Sequence, residues 1–359
     1  MNILYISESF VDFPLFKSQV HTLCNFHAEE NNVTLLALCD KEEMSKDVEN
    51  RKYSLIKKRK SFRMLIPIIN KIFSYFFTDR SLLLECDIIH CRGYIGSAYA
   101  INICKKYNIK KPIISDLRGA LVEEIKHSGN KHAKFYVEQV VKLEQFIFKN
   151  KPFFFFMSEN MRKYYRDKYQ FSIEDTEIFP TLVDEKYFYR SQIYRDEIRG
   201  ELEIIDKFVY AYVGGAAYWQ NIDKILISFN NEVKKNPKLF LLFITNDPDI
   251  ANDIIITHKL DHTNIKVLSL PYEEVGKYLN ASDAGIIIRD DNILNNVASP
   301  TKINEYLAVG IKVVDKLNRI GHIDYSKGDL LYIPVGEIIA NQQKAYQKFS
   351  SKYVSVDFL

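Results

Sequence analysis

Short apolar runs alternate with amphipathic stretches along this whole chain, and this alternation restricts the possible folds more than any other feature of the sequence. The runs at residues 2–6, 33–38 and 111–116 each have the length and composition of one buried strand. Strands that alternate with helices along a chain are typical of parallel α/β sheets. Because 359 residues exceed what one hydrophobic core usually organises, we predict two doubly wound domains.

The predicted elements form two series. The first series has strands at 2–6, 33–38, 86–90, 111–116 and 152–157, and helices at 18–30, 96–107 and 138–149. The second has strands at 207–213, 239–245, 265–268, 284–288 and 312–315, and helices at 222–235, 272–280 and 301–309. Residues 181–199 carry no strong strand pattern. We therefore predict an N-terminal domain at 1–185 and a C-terminal domain at 186–335.

Composition and charge exclude several classes of protein. Hydrophobic residues make up 47% of the chain and charged residues 26%, which is typical of a globular protein and excludes a disordered one. The 49 basic and 46 acidic residues leave a formal net charge of only +3, so we expect no nucleic-acid partner. Five cysteines, an odd number without C-x-x-C spacing, predict neither a disulfide framework nor a zinc site.

The sequence shows neither a secretion signal nor a membrane span. No apolar run approaches the roughly 20 residues that cross a bilayer, so we expect a cytoplasmic protein. Residues 50–78 nevertheless contain eight basic residues and no acid, and the second half of this segment is apolar. Such a segment suits an anionic membrane surface, and the residues that we expect to contact it are Lys57, Lys58, Arg59 and Lys60. The alternative is a solvated loop followed by an ordinary core helix.

Polar and glycine residues follow several of the predicted strands. Ligands of parallel sheets bind outside the carboxyl ends of the strands, so these positions are the candidate sites. In the first domain they are the segments 7–17, 90–93 and 116–124; in the second they are 214–215 and the loop 289–300. A cleft between two such faces is the predicted binding site.

The loop before the predicted helix 301–309 has the densest set of ligand-binding residues. Ser299 and Thr301 lie where unpaired N–H groups and the helix dipole suit a phosphate, and Lys302 adds a positive charge. Glu305 lies one turn further on, within reach of ribose hydroxyls if a nucleotide diphosphate occupies the helix N-terminus. The alternative is a capped surface helix with a solvated Glu305.

These residues belong to a segment, SPTKINEYLAVGIKVV at 299–314, that resembles the donor-binding signature of family-4 glycosyltransferases of the GT-B fold. Five further segments resemble this family in the same order: IIHCRGYIGSAYA, ISDLRGALVEE, FFFFMSENMRKYY, IFPTLVDEKYF and YVGGAAYWQNIDKIL. The resemblance implies two Rossmann-like doubly wound domains that face each other across a cleft. It also implies that the first domain binds the acceptor, that the second binds the nucleotide-sugar, and that a final helix at 336–359 crosses back to the first.

By the resemblance, the chain is a retaining, hexosyltransferase-like enzyme whose donor is a UDP- or GDP-linked sugar and which uses no metal or other cofactor. The departing diphosphate gathers negative charge, which preorganised N–H groups and cations stabilise. The residues that provide this set are Gly214, Gly215, Ser299, Thr301 and Lys302. The sequence departs from the family pattern at Val297, where the family has its first glutamate. We expect Arg289 and Asn296 to replace that glutamate by hydrogen-bonding sugar or phosphate oxygens.

The acceptor side follows a strand of the first domain. Asp116 or Glu124 would orient an acceptor hydroxyl, and Arg118 would hold a phosphate through two hydrogen bonds. The alternative is an internal ion pair between Asp116 and Arg118. His90 is a further catalytic candidate, although a histidine at a strand end is more often a satisfied core group.

No metal site is predicted. Asp247 and Asp249 form a D-x-D motif, but the proline between them indicates that this segment is the first turn of a helix. The eight histidines form no pair at metal-ligand spacing.

The leading hypothesis is a cytoplasmic, peripherally membrane-bound glycosyltransferase that builds a bacterial surface polysaccharide on a lipid-linked glycan acceptor. One alternative is a sugar-nucleotide 2-epimerase of the same fold. Another is a degenerate, non-catalytic partner subunit that binds a nucleotide-sugar, for which Val297 is the only support in the sequence.

Overall fold

The computed structural model describes residues 1–8, 15–59, 80–129, 131–315, 319–320, 323–324 and 334–354. The chain divides into two compact units. The first consists of Met1–Pro180 together with Gly336–Leu359, and the second of Thr181–Val335. Each unit contains its own parallel β-sheet.

The first unit is built on a seven-stranded sheet in which every neighbouring pair is parallel. The order across the sheet is β3-β2-β1-β4-β5-β6-β7. A strand such as Phe153–Phe156 is apolar at every position because both faces of a parallel sheet are covered. The strands are β1 (Asn2–Ser7), β2 (Asn32–Cys39), β3 (Ser54–Arg59), β4 (Ile88–Arg92), β5 (Ile113–Leu117), β6 (Phe153–Phe156) and β7 (Thr176–Ile178).

Helices connect these strands. A π-helical turn at Lys17–His21 leads into the first α-helix. The α-helices of this unit are Thr22–His27, Arg80–Glu85, Tyr94–Lys106, Leu121–Lys126, Ala133–Lys149 and Glu159–Tyr169. Ser158 caps the last of these through its side chain, which accepts a hydrogen bond from the Met161 amide at 3.0 Å, as the sequence predicts.

The second unit has a five-stranded parallel sheet in the order β10-β9-β8-β11-β12. Its strands are β8 (Phe208–Val213), β9 (Leu239–Ile244), β10 (Ile265–Leu268), β11 (Ala284–Ile287) and β12 (Lys312–Asp315), and a short antiparallel pair, β13 (Arg319–Ile320) and β14 (Ile323–Asp324), follows. Its α-helices are Gln192–Glu201, Ile222–Val233, Pro248–Thr257, Tyr272–Leu279, Ile293–Asn296 and Thr301–Ala308.

The ends of two helices in this unit follow their sequence signals. Pro248 stands in the first turn of its helix, as predicted. Gly310 closes the helix Thr301–Ala308: its amide bonds to Leu307 O at 3.0 Å, and the Ile311 amide bonds to Tyr306 O at 3.0 Å. This pair of hydrogen bonds satisfies the last carbonyl groups of the helix.

The chain passes between the units at Pro180–Thr181, five residues before the predicted position. The difference has a packing cause. Val183 and Phe188, both 0% exposed, belong to the hydrophobic core of the second unit. The Thr181 hydroxyl donates a hydrogen bond to Ser299 O at 2.9 Å, which holds the entering segment to the same unit.

The final helix, Val335–Val354, packs on the first unit. Its Gln342 Oε1 lies 2.8 Å from His27 Nε2. The Phe349 ring stacks on Phe153 with 3.7 Å between centroids. These contacts cover the sheet of the first unit with residues from the end of the chain.

Candidate functional site

Each sheet has a point at which the connections leave in opposite directions, and parallel sheets bind ligands outside the carboxyl ends of the strands at such a point. In the first unit this point lies between β1 and β4, and in the second between β8 and β11. The polar residues predicted from the sequence lie after these strands. The two clusters belong to different units and are described separately.

In the second unit, β8 ends in the predicted glycine loop. Gly214 has φ +143°, a conformation that residues with a side chain rarely adopt. A Cβ at this position would also lie only 2.7 Å from Lys302 Nζ. Two hydrogen bonds fix the loop: the Tyr212 hydroxyl donates to Gly215 O at 2.9 Å, and the Ala216 amide donates to Asp247 Oδ2 at 2.9 Å.

Lys302 and Arg289 converge beside this loop, and we call these two residues together with Gln220 the Lys302 cluster. Both cations are buried, at 7% and 6% exposure. Lys302 Nζ donates to Gln220 Oε1 at 2.9 Å, and Arg289 Nη2 donates to the same oxygen at 3.1 Å. Lys302 Nζ also lies 4.1 Å from the centroid of the Tyr212 ring. A neutral amide therefore links two buried positive charges.

The protonation of this cluster is strongly perturbed. Burial, and then the charge of Arg289, hold the pKa of Lys302 well below its ordinary value. Burial raises the pKa of Glu305 to about 7, although the nearby Lys302 lowers it. Titratable groups perturbed by burial at a strand-end loop are typical of ligand sites.

Two of the predicted donor-binding residues, Ser299 and Asn296, form hydrogen bonds with residues outside the Lys302 cluster. Ser299 holds the entry segment, because its hydroxyl accepts a hydrogen bond from the Thr181 amide at 3.3 Å. Asn296 donates to Asp291 Oδ1 at 2.8 Å, and it is Asn295, not Asn296, that contacts Arg289, with Oδ1 at 3.0 Å from Nη1. Asn295 precedes Asn296 in the helix Ile293–Asn296, so its side chain takes a different direction.

The helix Thr301–Ala308 begins beside the same cluster. Pro300 precedes it, and no side chain caps its first turn. Thr301 is buried at 8% exposure and Glu305 at 6%, so Glu305 is not the solvated surface residue of the alternative interpretation.

Sequence reasoning missed Gln220 and Asn295. Gln220 ends a short 3₁₀ turn after the glycine loop, and only the tertiary structure brings its amide to Lys302. The adjacent Asp247 supports the glycine loop through the Ala216 amide. Among the residues that the structure describes, no group of three His, Cys, Asp or Glu side chains is arranged to hold a metal ion.

In the first unit, the predicted residues Asp116, Arg118 and His90 form one buried network with Tyr346, which we call the Asp116 cluster. Arg118 Nη2 donates to Asp116 Oδ2 at 2.8 Å, and Arg118 Nε lies 2.7 Å from Asp116 Oδ1. His90 Nε2 lies 3.3 Å from Asp116 Oδ2, and His90 Nδ1 is hydrogen-bonded to the Tyr346 hydroxyl. A neutral imidazole that donates to the carboxylate and accepts from the phenol satisfies both contacts.

The catalytic roles predicted for these residues stay predictions. Asp116 and His90 are both 0% exposed and contact each other within the network. Arg118 also donates from Nη1 to Phe179 O at 3.2 Å, so part of its guanidinium group is engaged within the protein. Burial alone would raise the pKa of Asp116, but Arg118, His90 and Arg92 hold it well below the ordinary value. The internal ion pair, left open by the sequence, is what the structure contains.

The Asp116 cluster also ties together two distant segments of the chain. Arg118 holds Phe179, immediately before the chain passes to the second unit, and Tyr346 lies in the helix that follows its return. Both segments are therefore anchored through one buried carboxylate.

Glu124 is the predicted acceptor residue that remains accessible. It is half-buried in the helix Leu121–Lys126, and its carboxyl group lies so close to Gly119 that a Cβ there would overlap it. Burial, and then the charge of Glu8, raise the pKa of Glu124 to about 7. Glu8 lies in the candidate segment 7–17 that follows the first predicted strand.

The predicted membrane-binding residues lie partly within the described chain. Lys57, Lys58 and Arg59 form the end of the edge strand β3, where the sequence predicted no strand. Lys57 Nζ donates to Met44 O at 2.8 Å and Lys46 O at 2.7 Å. Lys60 and the predicted apolar helix at 64–78 lie outside the described residues. Within the described ranges, no helix has the length and apolar character that crossing a membrane requires.

Two parallel α/β units in this arrangement of strands define a GT-B fold, and comparison with solved structures agrees. No protein-family model matches the sequence, and no curated protein matches it. HepE from Anabaena, solved with UDP-glucose, is 13% identical over 98% of this chain and 92% of its own, with a TM-score of 0.64.

Two further solved structures show the same likeness. A glycosyltransferase from Rickettsia africae is 12% identical over 99% of this chain and 89% of its own, with a TM-score of 0.65. WaaG, a glycosyltransferase involved in lipopolysaccharide biosynthesis, is 10% identical over 99% and 96%, with a TM-score of 0.59. At identities this low the likeness establishes the GT-B fold, and the activity has to be argued from the site.

Proposed function

We propose that the chain is a glycosyltransferase that moves a sugar from a nucleotide-sugar to an acceptor hydroxyl. One observation carries the proposal. Lys302 is buried at 7% exposure beside Arg289, its Nζ binds the neutral Gln220 amide, and it forms no ion pair within the described part of the chain. A buried cation without a carboxylate partner is costly, and an anionic ligand at this point would remove that cost.

The diphosphate of a nucleotide-sugar fits the Lys302 cluster. As the glycosidic bond breaks, the leaving diphosphate gains negative charge, and cations held in place beforehand stabilise it most in a site that excludes water. Gly214 and Gly215 let the loop backbone approach the phosphates, and Glu305 would accept a hydrogen bond from a ribose hydroxyl. A UDP-linked donor is supported by HepE, which was solved with UDP-glucose; a GDP-linked donor belongs to the same proposal.

We further propose that transfer retains the configuration of the sugar and needs no metal ion. The Lys302 cluster supports the second point, because Arg289 and Lys302 supply the positive charge that a divalent cation supplies in other transferases; retention follows only from the resemblance of the sequence to the retaining family. In this proposal Lys302 touches the leaving group and is the catalytic residue of the donor side.

The acceptor in this proposal is a lipid-linked glycan of a surface polysaccharide, reached by peripheral binding to the cytoplasmic face of a membrane. Two observations support it. WaaG acts in lipopolysaccharide biosynthesis and shares the fold. The basic residues between Arg51 and Arg63 also lie in the unit that carries Glu124, and clustered basic residues attract anionic lipids.

The donor site can be tested through Trp219. This is the only tryptophan of the chain, and it directly precedes Gln220. A ligand at Lys302 should therefore change the fluorescence of Trp219. Excitation at the red edge of the tryptophan band avoids absorbance by the nucleotide. We expect titration with a panel of UDP- and GDP-sugars to give saturable quenching by at least one of them. The change Lys302→Gln should weaken that binding about tenfold or more, because the variant loses a hydrogen bond to a charged ligand.

Lys235→Gln is the matched control, because Lys235 lies on the surface of the same unit and pairs only with the exposed Glu232. It should bind the nucleotide-sugar as the unchanged protein does. Absence of quenching by every nucleotide-sugar, or equal affinity in Lys302→Gln, would overturn the proposal. Binding without sugar transfer to any acceptor would instead favour the non-catalytic partner subunit.

A further inference from the structure

Gln220 is the uncharged member of the Lys302 cluster, and the proposed function leaves it without a role. Its Oε1 accepts hydrogen bonds from Lys302 Nζ at 2.9 Å and from Arg289 Nη2 at 3.1 Å. A single oxygen atom therefore lies within hydrogen-bond distance of two buried cationic groups. An anionic oxygen at this point would receive charge-assisted hydrogen bonds from both of them.

The backbone around Gln220 fixes the position of its side chain. Gln220 ends the 3₁₀ turn Tyr218–Gln220. The next residue, Asn221, has φ +50°, in the left-handed region, and is buried at 6% exposure. Asn221 Nδ2 donates to Ile288 O at 3.3 Å, immediately before Arg289 in the chain. Because the turn is tied to the strand end that carries Arg289, rotation of the Gln220 side chain alone is enough to free the two cations.

The amide of Gln220 is an incomplete partner for these cations. Its oxygen accepts their hydrogen bonds but carries only a partial charge, and a fully charged phosphate oxygen attracts the same donors more strongly in a buried site. The pKa of Lys302 agrees with this. Burial, and then the charge of Arg289, hold it well below its ordinary value, whereas a paired carboxylate would raise it.

We propose that Gln220 is an internal competitor of the donor: an oxygen of the nucleotide diphosphate displaces Gln220 Oε1 from Lys302 and Arg289. This inference rests on the proposed function and names the group of this chain that regulates access to the same site. Only hydrogen bonds are exchanged, and no covalent bond forms or breaks. Both cations have an acceptor before and after the exchange, which holds them in place for the diphosphate.

The first variant strengthens the competitor. Gln220→Glu keeps the shape of the side chain and adds a charge that pairs with Lys302 and Arg289 and repels the phosphates. We expect it to weaken the binding of UDP and of GDP at least about tenfold. The Tm of the second unit should rise, because the buried cations gain a carboxylate partner.

The second variant removes the competitor. Gln220→Met keeps the length of the side chain but offers no oxygen, so we expect UDP and GDP to bind several-fold more tightly. The Tm of the second unit should fall, because Lys302 and Arg289 lose an acceptor. Affinity and Tm should therefore change in opposite directions in each variant.

Isothermal titration calorimetry measures these affinities without relying on Trp219, which is adjacent to the changed residue, and differential scanning calorimetry measures the Tm. Asn236→Asp is the control for the added charge, because Asn236 is exposed in the same unit. It should bind both nucleotides as the unchanged protein does. A similar loss of affinity in Asn236→Asp and Gln220→Glu would overturn the inference.

Two other roles for Gln220 predict different results. Direct contact between Gln220 and the nucleotide would make Gln220→Met bind more weakly, and a purely structural role would lower affinity and Tm together. Either result would overturn the inference, and so would unchanged affinity in Gln220→Glu. Failure of the unchanged protein to bind UDP, GDP and every UDP- or GDP-sugar would instead contradict the proposed function, which separates the two.

Discussion

The Asp116 cluster and the Lys302 cluster both contain buried charged residues at the carboxyl edge of a parallel sheet, but among the described residues only the Asp116 cluster shows ion pairs. Asp116 meets Arg118, Arg92 and His90, and its carboxylate is compensated within the protein. Lys302 and Arg289 meet the neutral amide of Gln220. The comparison shows that burial and charge alone do not distinguish the two clusters, whereas the presence of a carboxylate within ion-pair distance does.

The largest effect should come from breaking the balanced cluster. Asp116→Asn keeps the size of the side chain but leaves Arg118 and Arg92 buried without a carboxylate. We expect it to destabilise the first unit by about 3–5 kcal/mol. Differential scanning calorimetry, which separates the transitions of two units, measures this loss. Glu29→Gln is the control, because its pair with Lys52 is exposed, and it should cost less than about 1 kcal/mol. Similar costs for both changes would show that the cluster is not the anchor we describe.

The second effect concerns the pH dependence of Glu305, whose charge acts on that of Lys302. Burial raises the pKa of Glu305 to about 7 in the folded protein, from 4.5 for an ordinary glutamate. The folded state therefore holds a proton that the unfolded state has lost, and stability falls as pH rises between these two values and then levels off. The shift corresponds to about 3 kcal/mol. Glu305→Gln should remove this dependence and be more stable than the unchanged protein above about pH 7. Thermal unfolding across this pH range measures it, and parallel profiles for the two proteins would refute the assignment.

The smallest effect should have the opposite sign to the first. Lys302→Met replaces a buried, uncompensated cation by an apolar side chain of similar length, so we expect the ligand-free second unit to gain about 0.5–2 kcal/mol. Binding of the nucleotide-sugar should be lost in the same variant. Calorimetry and Trp219 fluorescence measure the two properties together. A loss of stability in Lys302→Met would mean that Lys302 is compensated within the protein, and the contrast between the two clusters would then disappear.

The strands of the two sheets were predictable because a buried strand of a parallel sheet is a continuous apolar run. β10 and β12 lie where the sequence predicts them, and most other strands agree within two residues. The strands β3 and β7 were not predicted. β3 ends in Lys57, Lys58 and Arg59 at the edge of its sheet, where one side is free of a neighbouring strand, and basic residues there conceal the strand pattern. β7 has only three residues, too few to show a period.

The candidate site was predictable in part. Gly214, Lys302 and Glu305 follow strands or begin a helix, and such positions can be recognised from the order of elements along the chain. Glu8 and Asn295 lie in strand-end segments that the sequence marks as candidates, but nothing local distinguishes them from their neighbours, and Gln220 lies outside those segments. Their roles depend on which side chain they meet across the fold, and no periodicity encodes that.

The sequence by itself determined that this chain builds two parallel α/β units, because apolar periodicity and helix-end residues act over a few neighbouring positions. It also determined which strand ends carry charge. Only the tertiary structure decided which partners those charges meet, because a hydrogen bond requires close approach between residues far apart in the chain, such as Tyr346 with His90 and Lys302 with Gln220. Electrostatic energy in a buried site changes steeply with distance. For this reason Asp116 and Lys302, which look alike in the sequence as charged residues next to a strand end or helix start, have different partners in the folded protein: Asp116 pairs with Arg118, and Lys302 contacts the neutral Gln220 amide.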